Sequence, residues 1–272
     1  MSFLHCLMVL IIGGAGVACQ PPVTEKVAQN IQELSPSKPK TGPVQKSTMN
    51  PSDHAPAPSA ISPTFTEHLA PVLLALEKGD TVRMVCYGNS ITNGYKVGTY
   101  GQVARPYPEV LEELLRKHYQ NPVVMVQNEG HNGWKSNQAL AQASALVLSQ
   151  KPDLVLIEFG INDAYSNFSV TVFIQNIQQL VQLLRQNGVR VLLLAPTPIH
   201  TSYEAKVQAY TPALARLAEQ EKIAFFDLHQ ALLLRLKKEG LTMTQLLPDE
   251  VHLADDYYAW IAEAVFHFFL SF

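Results

Sequence analysis

The sequence predicts an α/β fold in which a parallel sheet is covered by helices on both faces. Short apolar segments alternate with longer segments whose apolar residues recur at helical spacing, a pattern typical of βαβ units. Two short segments, 154–157 and 191–194, are apolar at every position, as expected of strands that are buried on both faces. Residues 65–272 are numerous enough to form one such domain with a sizeable core.

The elements follow one another in regular alternation. We predict five strands, at residues 82–87, 123–128, 154–159, 189–195 and 223–227. Helical spacing of apolar residues, such as Leu111, Leu114 and Leu115, predicts the intervening helices. These helices are placed at residues 66–77, 108–119, 136–149, 170–186, 203–222 and 254–269.

The first 64 residues differ in composition from the predicted domain that follows them. Residues 7–12 are apolar, residues 13–16 are small, and Cys19 follows, which predicts an export signal at residues 1–19. The position of Cys19 resembles the lipobox of bacterial lipoproteins, whose cysteine receives a lipid; a plain secretory signal and an uncleaved anchor remain open. Residues 20–64 contain nine of the 18 prolines and no aromatic residue, which predicts a disordered tether.

Composition narrows the classes of function. A net charge of −3 does not favour a general nucleic-acid binder. The chain has three cysteines, too few and too scattered for a disulfide framework, and Cys86 lies within an apolar strand. His, Cys and carboxylate residues do not occur at metal-ligand spacing, and there is no dinucleotide or phosphate-loop motif, so we expect no metal and no cofactor.

Polar residues follow the predicted strands at the edge where open parallel sheets bind ligands. Ser90 follows the first strand, Gly133 lies in the turn after the second, and Asn162 comes after the third. Near the end of the chain, Asp249 precedes His252 by three residues, so its carboxylate can fold back and fix the imidazole tautomer. These are the residue types of nucleophilic acyl transfer.

Taken together, the four blocks resemble the SGNH hydrolase family, also called GDSL esterases and lipases, over residues 80–260. The resemblance implies that Ser90 is the nucleophile, His252 the general base and Asp249 the residue that orients this base. It also implies an oxyanion hole made of the backbone N–H groups of Ser90 and Gly133 and the side-chain amide of Asn162.

The same resemblance implies a three-layer α/β/α sandwich with five parallel strands in flavodoxin-like order. Gly133 is preferred to Gly130 because it lies five residues after Asn128, the usual spacing in the family. One departure precedes the nucleophile, where Asn89 replaces the usual aspartate; we expect its amide to bond the turn and activity to survive.

Two further departures follow the histidine, where Leu253 and Tyr257 replace a common proline and glycine. Four other polar residues are expected to be structural: His131 in a surface loop, His200 in a proline-containing turn, Asp163 bonding backbone near Asn162, and Glu158 with a hydrogen-bond partner. For His131, a position that lines the pocket or bonds an acyl acceptor remains open.

The resulting hypothesis is an exported serine esterase that acts on short acyl esters of carbohydrate or cell-envelope polysaccharide. Its expected partners are an ester substrate and, through a lipid on Cys19, a membrane facing the periplasm or the cell surface. The alternatives are an O-acyltransferase with the same triad, a lysophospholipase or thioesterase, and a non-catalytic binding module. Aromatic residues near the strand ends form a candidate sugar platform: Tyr95, Tyr100, Tyr107, Trp134 and Tyr165.

Overall fold

The computed structural model describes residues 63–272. The predicted signal peptide, Cys19 and the predicted tether up to residue 62 lie outside the described residues. The first helix, α1 (Pro63–Lys78), begins within the last two residues assigned to the tether.

The core of the domain is a five-stranded sheet. Its strands are β1 (Val82–Gly88), β2 (Val124–Gly130), β3 (Leu154–Glu158), β4 (Arg190–Leu194) and β5 (Ala224–Phe226). They lie in the order β2-β1-β3-β4-β5 with every neighbouring pair parallel. This is the flavodoxin-like order, and it confirms the predicted fold class.

The strands formed where the apolar segments predicted them, and each bound lies within two residues of its prediction. Every residue of β3 is buried, and in β4 only Arg190 is partly exposed. Continuous apolar strands are stable only when helices cover both faces, because each face must be removed from water.

Helices form two layers around the sheet. In one group, α10 (Tyr258–Phe269) packs on α3 (Tyr107–Tyr119) and on α8 (Leu228–Glu239). In the other, α6 (Val170–Gln186) packs on α4 (Ser136–Leu146) and on α7 (Glu204–Glu221). Three short helices lie in the connections: α2 (Ser90–Asn93), α5 (Ile161–Tyr165) and α9 (Met243–Leu246).

The structure differs from the predicted helices at three places. α8 was not predicted, although its caps are visible in the sequence: the Asp227 carboxylate accepts a hydrogen bond from the Gln230 N–H, and Gly240 ends the helix in a left-handed conformation. The helix predicted at residues 136–149 ends at Leu146 and continues as a 3₁₀ turn (Leu148–Gln150). The helix predicted at residues 254–269 begins as a 3₁₀ turn (Asp255–Tyr257), which is followed by α10.

Among residues 63–272, none of the helices combines the length and the apolar content that crossing a bilayer requires.

Candidate active site

Ser90 opens the short helix α2, directly after β1. The preceding Asn89 caps this helix: its side-chain oxygen accepts a hydrogen bond of 2.8 Å from the Ile91 N–H. Gly94 ends α2 in a left-handed conformation (φ 81°). The Asn89 amide therefore bonds the turn as expected, and Ser90 is fixed at the carboxyl end of the strand with 8% of its surface exposed.

Two glycines allow α2 to lie directly on the strand ends. A Cβ atom on Gly88 would stand 2.0 Å from Oγ1 of Thr92, and one on Gly130 would stand 2.0 Å from the backbone nitrogen of Asn93. These distances are far below any contact that a side chain tolerates. Gly130 is thus required for packing between β2 and α2.

His252 lies between Ser90 and Asp249. The Ser90 hydroxyl oxygen is 2.8 Å from Nε2 of His252, and Nδ1 of the same ring is 2.8 Å from Oδ2 of Asp249. An ionised carboxylate only accepts hydrogen bonds, so Nδ1 carries the proton and Nε2 is free to accept from the serine hydroxyl. This tautomer is the one a general base requires.

The second oxygen of Asp249 is held by the backbone. Oδ1 accepts hydrogen bonds from the N–H groups of His252 (2.7 Å) and Val251 (3.1 Å). Partial burial alone would raise the pKa of Asp249, but these bonds and the contact with the imidazole outweigh it and lower the pKa below its usual value. Asp249 therefore stays ionised near neutral pH.

The turn that carries this pair is anchored to the neighbouring loop. Glu250 adopts a left-handed conformation (φ 70°), which lets the chain reverse between Asp249 and His252. Its carbonyl oxygen accepts a hydrogen bond of 2.7 Å from the backbone N–H of His200. His200 is exposed and contributes here through its backbone, in agreement with a structural role.

The side chain of Asn162 bonds the residue that follows Gly133. The side-chain amide of Asn162, in the first turn of α5, donates a hydrogen bond of 3.0 Å to the carbonyl oxygen of Trp134, the residue after Gly133. Gly133 has a φ of 76°, and within residues 63–272 no heavy atom lies within 4 Å of the Cβ that a side chain would add. The turns after β2 and β3 are therefore joined through Asn162.

Asp163 is a buried carboxylate in α5 that bonds backbone, as expected. It accepts hydrogen bonds from the backbone N–H (3.0 Å) and the hydroxyl (2.5 Å) of Ser136, at the start of α4, and its own backbone N–H, next to Asn162, faces it as well. The partner Ser136 was not predicted. Burial raises the pKa of Asp163, and the two bonds from Ser136 only partly offset this effect. Asp163 connects α5 to α4.

Glu158, the last residue of β3, is fully buried behind Asn89. The Asn89 amide, the Thr92 hydroxyl and the Thr197 backbone N–H face its carboxyl group as the expected hydrogen-bond partners and lower its pKa, although within residues 63–272 none of these contacts has ideal hydrogen-bond geometry. Burial raises the pKa of Glu158 to about 8, so the group carries a proton at neutral pH.

The candidate sugar platform is divided by the structure. Tyr107 is fully buried, so the expectation that it lines a platform is wrong. Tyr95 packs on the ring of His252, with 4.3 Å between centroids. Trp134 stacks on His131 at 4.0 Å. Tyr100 is 87% exposed, the most exposed large apolar side chain of the described domain.

Tyr165 and His131 lie in the segments that follow β3 and β2. Tyr165 is exposed, and its hydroxyl bonds the Thr201 hydroxyl at 3.2 Å. His131 is half-buried in its loop and lies 3.2 Å from the Glu129 carboxylate. Within the described part of the chain, His, Cys, Asp and Glu side chains do not gather in groups of three that could hold a metal ion.

A known protein family matches most of the domain described above. The model of the GDSL-like lipase/acylhydrolase family matches residues 86–260, a segment that begins in β1 and ends in α10. This chain belongs to the GDSL-like lipase/acylhydrolase family. The resemblance found in the sequence is thereby confirmed, and the chain is a serine ester hydrolase of the GDSL type.

Individual relatives in this family are esterases. An arylesterase of Vibrio mimicus is 26% identical over 186 residues, which cover 67% of this chain and 86% of the relative. An acetylxylan esterase of Xylanibacter ruminicola is 26% identical over 187 residues, or 57% of this chain and 38% of the relative. A solved acetylxylan esterase of Geobacillus stearothermophilus superposes with a TM-score of 0.61 at 22% identity, covering 69% of this chain and 94% of that one.

Sequence reasoning missed two features of this GDSL-type site. It did not place the ring of Tyr95 on His252, because the spacing of residues along the chain carries no signal for a contact across 157 positions. It also did not foresee that the carboxyl group of Glu158 is fully buried beneath Asn89. A glutamate at the end of an otherwise apolar strand was the available signal.

Proposed function

We propose that this protein is a serine esterase that releases short acyl groups, acetyl above all, from carbohydrate or cell-envelope polysaccharide. Ser90 is its nucleophile, His252 its general base and Asp249 the residue that orients the base. The observation that carries the proposal is the unbroken chain of contacts from Ser90 Oγ through the imidazole to Asp249, each step 2.8 Å.

The first half of the reaction forms an acyl-serine. Ser90 Oγ attacks the ester carbonyl carbon while Nε2 of His252 takes the hydroxyl proton. The carbonyl π pair moves onto oxygen, and when it returns, the bond to the alcohol oxygen breaks. His252 gives its proton to the departing alcohol, and Asp249 stabilises the imidazolium in between.

The negative charge on the carbonyl oxygen requires donors that are already in place. We assign this role to the N–H groups of Ser90 and Gly133 and to the Asn162 amide. The bond from Asn162 to the Trp134 carbonyl supports the assignment, because it fixes the direction of the amide next to Gly133 before any substrate binds.

The second half returns the enzyme to its starting state. A water molecule attacks the acyl carbon, His252 accepts its proton, and the same proton then passes to Ser90 Oγ as the acyl–oxygen bond breaks. The products are a carboxylic acid and the free enzyme.

The substrate class is inferred from the relatives and the rim of the site. Both an arylesterase and acetylxylan esterases are among the similar proteins. Tyr100 and Tyr165 expose aromatic surface at the carboxyl edge of the sheet, and the flat face of a tyrosine ring suits the apolar face of a sugar. Acetylated sugars fit both observations.

The decisive experiment measures nitrophenyl acetate hydrolysis by the wild type and by Ser90→Ala. We expect the variant to lose at least about a thousandfold in kcat, because the covalent step is removed. Ser149→Ala is the matched control, since the Ser149 hydroxyl only bonds the Ala145 carbonyl on an exposed surface. Equal rates for the wild type and Ser90→Ala would refute the assignment of the nucleophile.

A substrate panel separates the alternatives. Acetylated xylo-oligosaccharides should be hydrolysed faster than long-chain acyl esters and lysophospholipids. Activity restricted to long chains would replace the carbohydrate proposal with a lipid-directed one. Dominant transfer of acetyl to an added sugar acceptor would identify an O-acyltransferase, and tight sugar binding without turnover would identify a binding module.

We also propose that the protein is exported and anchored to the envelope by a lipid on Cys19. The apolar and small residues that precede this cysteine support the proposal. Mass spectrometry of the mature N-terminus after expression in a bacterial host tests it, with Cys19→Ser as the comparison. An unmodified terminus beyond Cys19 would exclude the anchor.

A further inference from the structure

The ring of Tyr95 covers one face of the His252 imidazole. The two ring centroids are 4.3 Å apart with an angle of 37° between the ring planes. This is close contact, since aromatic pairs interact at centroid distances of about 4.5 to 7 Å. The hydrogen bonds described for Tyr95 involve its backbone, so they do not require an aromatic side chain.

Tyr95 is held in place from several directions. Its backbone N–H donates to the Ser90 carbonyl (2.9 Å), and its own carbonyl accepts from the hydroxyl of the buried Tyr258 (2.9 Å). An isolated antiparallel bridge pairs it with Gln102. The edge of Tyr95 meets Tyr100 at a centroid distance of 6.5 Å. These bonds fix the backbone of Tyr95, and together with the contact to Tyr100 they limit where its ring can lie against His252.

We propose that Tyr95 is a positioning residue for the esterase reaction, which holds the His252 ring between Ser90 and Asp249 and favours its protonated form. This inference rests on the function proposed above. The face of a tyrosine ring carries negative electrostatic potential and attracts a cation placed over it. During the reaction, His252 becomes a cation when it takes the Ser90 proton, so the attraction is strongest in the transition state.

Several charged and titratable groups face this pair. Asp249 bonds the imidazole, the Lys96–Asp255 ion pair (2.9 Å) lies beside Tyr95, and Tyr258 is close to Glu158 as well as to the two aspartates. A substitution confined to the Tyr95 ring leaves all of these groups in place. A change in the titration of His252 in such a variant therefore reports the loss of the aromatic face.

The test compares Tyr95→Leu with Tyr95→Phe. Leucine keeps apolar bulk and removes the aromatic face, so kcat for nitrophenyl acetate should fall about 2- to 30-fold with little change in KM. The acidic limb of the kcat/KM profile should move to lower pH by about half a unit or more, because the imidazolium loses stabilisation. Phenylalanine keeps the face and should retain both properties.

The matched control is Tyr119→Leu. Tyr119 also contacts a histidine ring, that of His118 at 4.8 Å, but it ends α3 at the opposite, amino edge of the sheet. The Tyr119→Leu variant should have the kcat and the pH profile of the wild type. Equal effects of Tyr119→Leu and Tyr95→Leu would overturn the proposal, as would a Tyr95→Leu variant with wild-type kcat and an unmoved acidic limb.

An NMR titration of His252 makes the inference independent of turnover. In Tyr95→Leu, the midpoint of this titration should fall relative to the wild type and Tyr95→Phe, and no substrate is needed to observe it. An unchanged midpoint in a folded variant overturns the proposal. If the wild type lacked esterase activity while the midpoint still shifted, the proposed function would fail and the contact would stand.

If Tyr95→Leu does not fold, Tyr258→Phe provides the second variant. It removes only the hydroxyl that donates to the Tyr95 carbonyl. The looser ring should give a smaller shift of the titration midpoint in the same direction; wild-type behaviour in this variant would contradict the positioning role.

Discussion

The hydroxyl oxygen of Ser90 lies 2.8 Å from Nε2 of His252, although 162 positions separate the two residues. Ser90 follows β1, a central strand of the sheet, and His252 reaches the same carboxyl edge from the loop before α10. Parallel strands place all their carboxyl ends on one edge, so loops that are far apart in the chain converge there.

Replacing Asp249 by asparagine should lower kcat for ester hydrolysis by about 10³- to 10⁴-fold while the fold is retained. An amide at this position favours the wrong imidazole tautomer and does not stabilise the imidazolium. Steady-state kinetics with nitrophenyl acetate measure the effect. Asp227→Asn is the control, because Asp227 caps α8 and asparagine caps helices equally well. Retention of wild-type kcat in Asp249→Asn would remove Asp249 from the triad.

Truncation of Asn162 to alanine should reduce kcat by about 10²- to 10³-fold, since one donor to the developing oxyanion is lost. The substrate affinity should change little, because this hydrogen bond is strongest in the transition state. Asn187→Ala is matched to it: the Asn187 amide also bonds a backbone carbonyl, that of Leu183, but at the end of α6. If both variants lost the same activity, the oxyanion role would be wrong.

Gly130→Ala should destabilise the domain and also lower its activity. The new Cβ would meet the Asn93 nitrogen at 2.0 Å, which forces α2 and Ser90 away from β2. Overpacking of this kind costs about 1 to 3 kcal/mol or more. Gly188→Ala is the comparison: it strains a left-handed backbone (φ 77°) but meets open space within residues 63–272 and lies in the turn after α6, away from α2. It should lose stability in urea unfolding without losing kcat, whereas Gly130→Ala should lose both.

Glu158→Gln should change the pH dependence of stability. The pKa of Glu158 is about 8 in the folded state, above its ordinary value of 4.5, so its contribution to stability is complete below pH 4.5. This contribution is lost as pH rises towards 8, at about 1.4 kcal/mol per pH unit. Glutamine does not ionise, so the stability of Glu158→Gln does not fall with pH in this way.

Urea unfolding of the wild type and Glu158→Gln at pH 5 and pH 8.5 measures the difference. The two proteins should be similar at pH 5, and the variant should be the more stable at pH 8.5. Glu219→Gln, on the exposed side of α7, should follow the wild type at both values. A constant difference between the wild type and Glu158→Gln at the two pH values would contradict the buried, protonated state.

The sheet could be predicted because burial on both faces leaves a direct trace in the sequence. Every position of β3 is apolar except its last, and the five predicted strands all formed. α8 escaped prediction because its apolar residues, including the exposed Leu234, do not form a clean stripe, although Asp227 and Gly240 mark its ends.

The amino-acid sequence alone determined the fold class, the family and the residue types at the strand ends, because these depend on local periodicity and on short motifs. Only the tertiary structure decided which of these residues meet: that Tyr107 is buried, that Asp163 bonds Ser136, and that Tyr95 covers His252. Such contacts depend on how helices and loops pack over the sheet, and packing is a property of the whole assembled core rather than of any one segment.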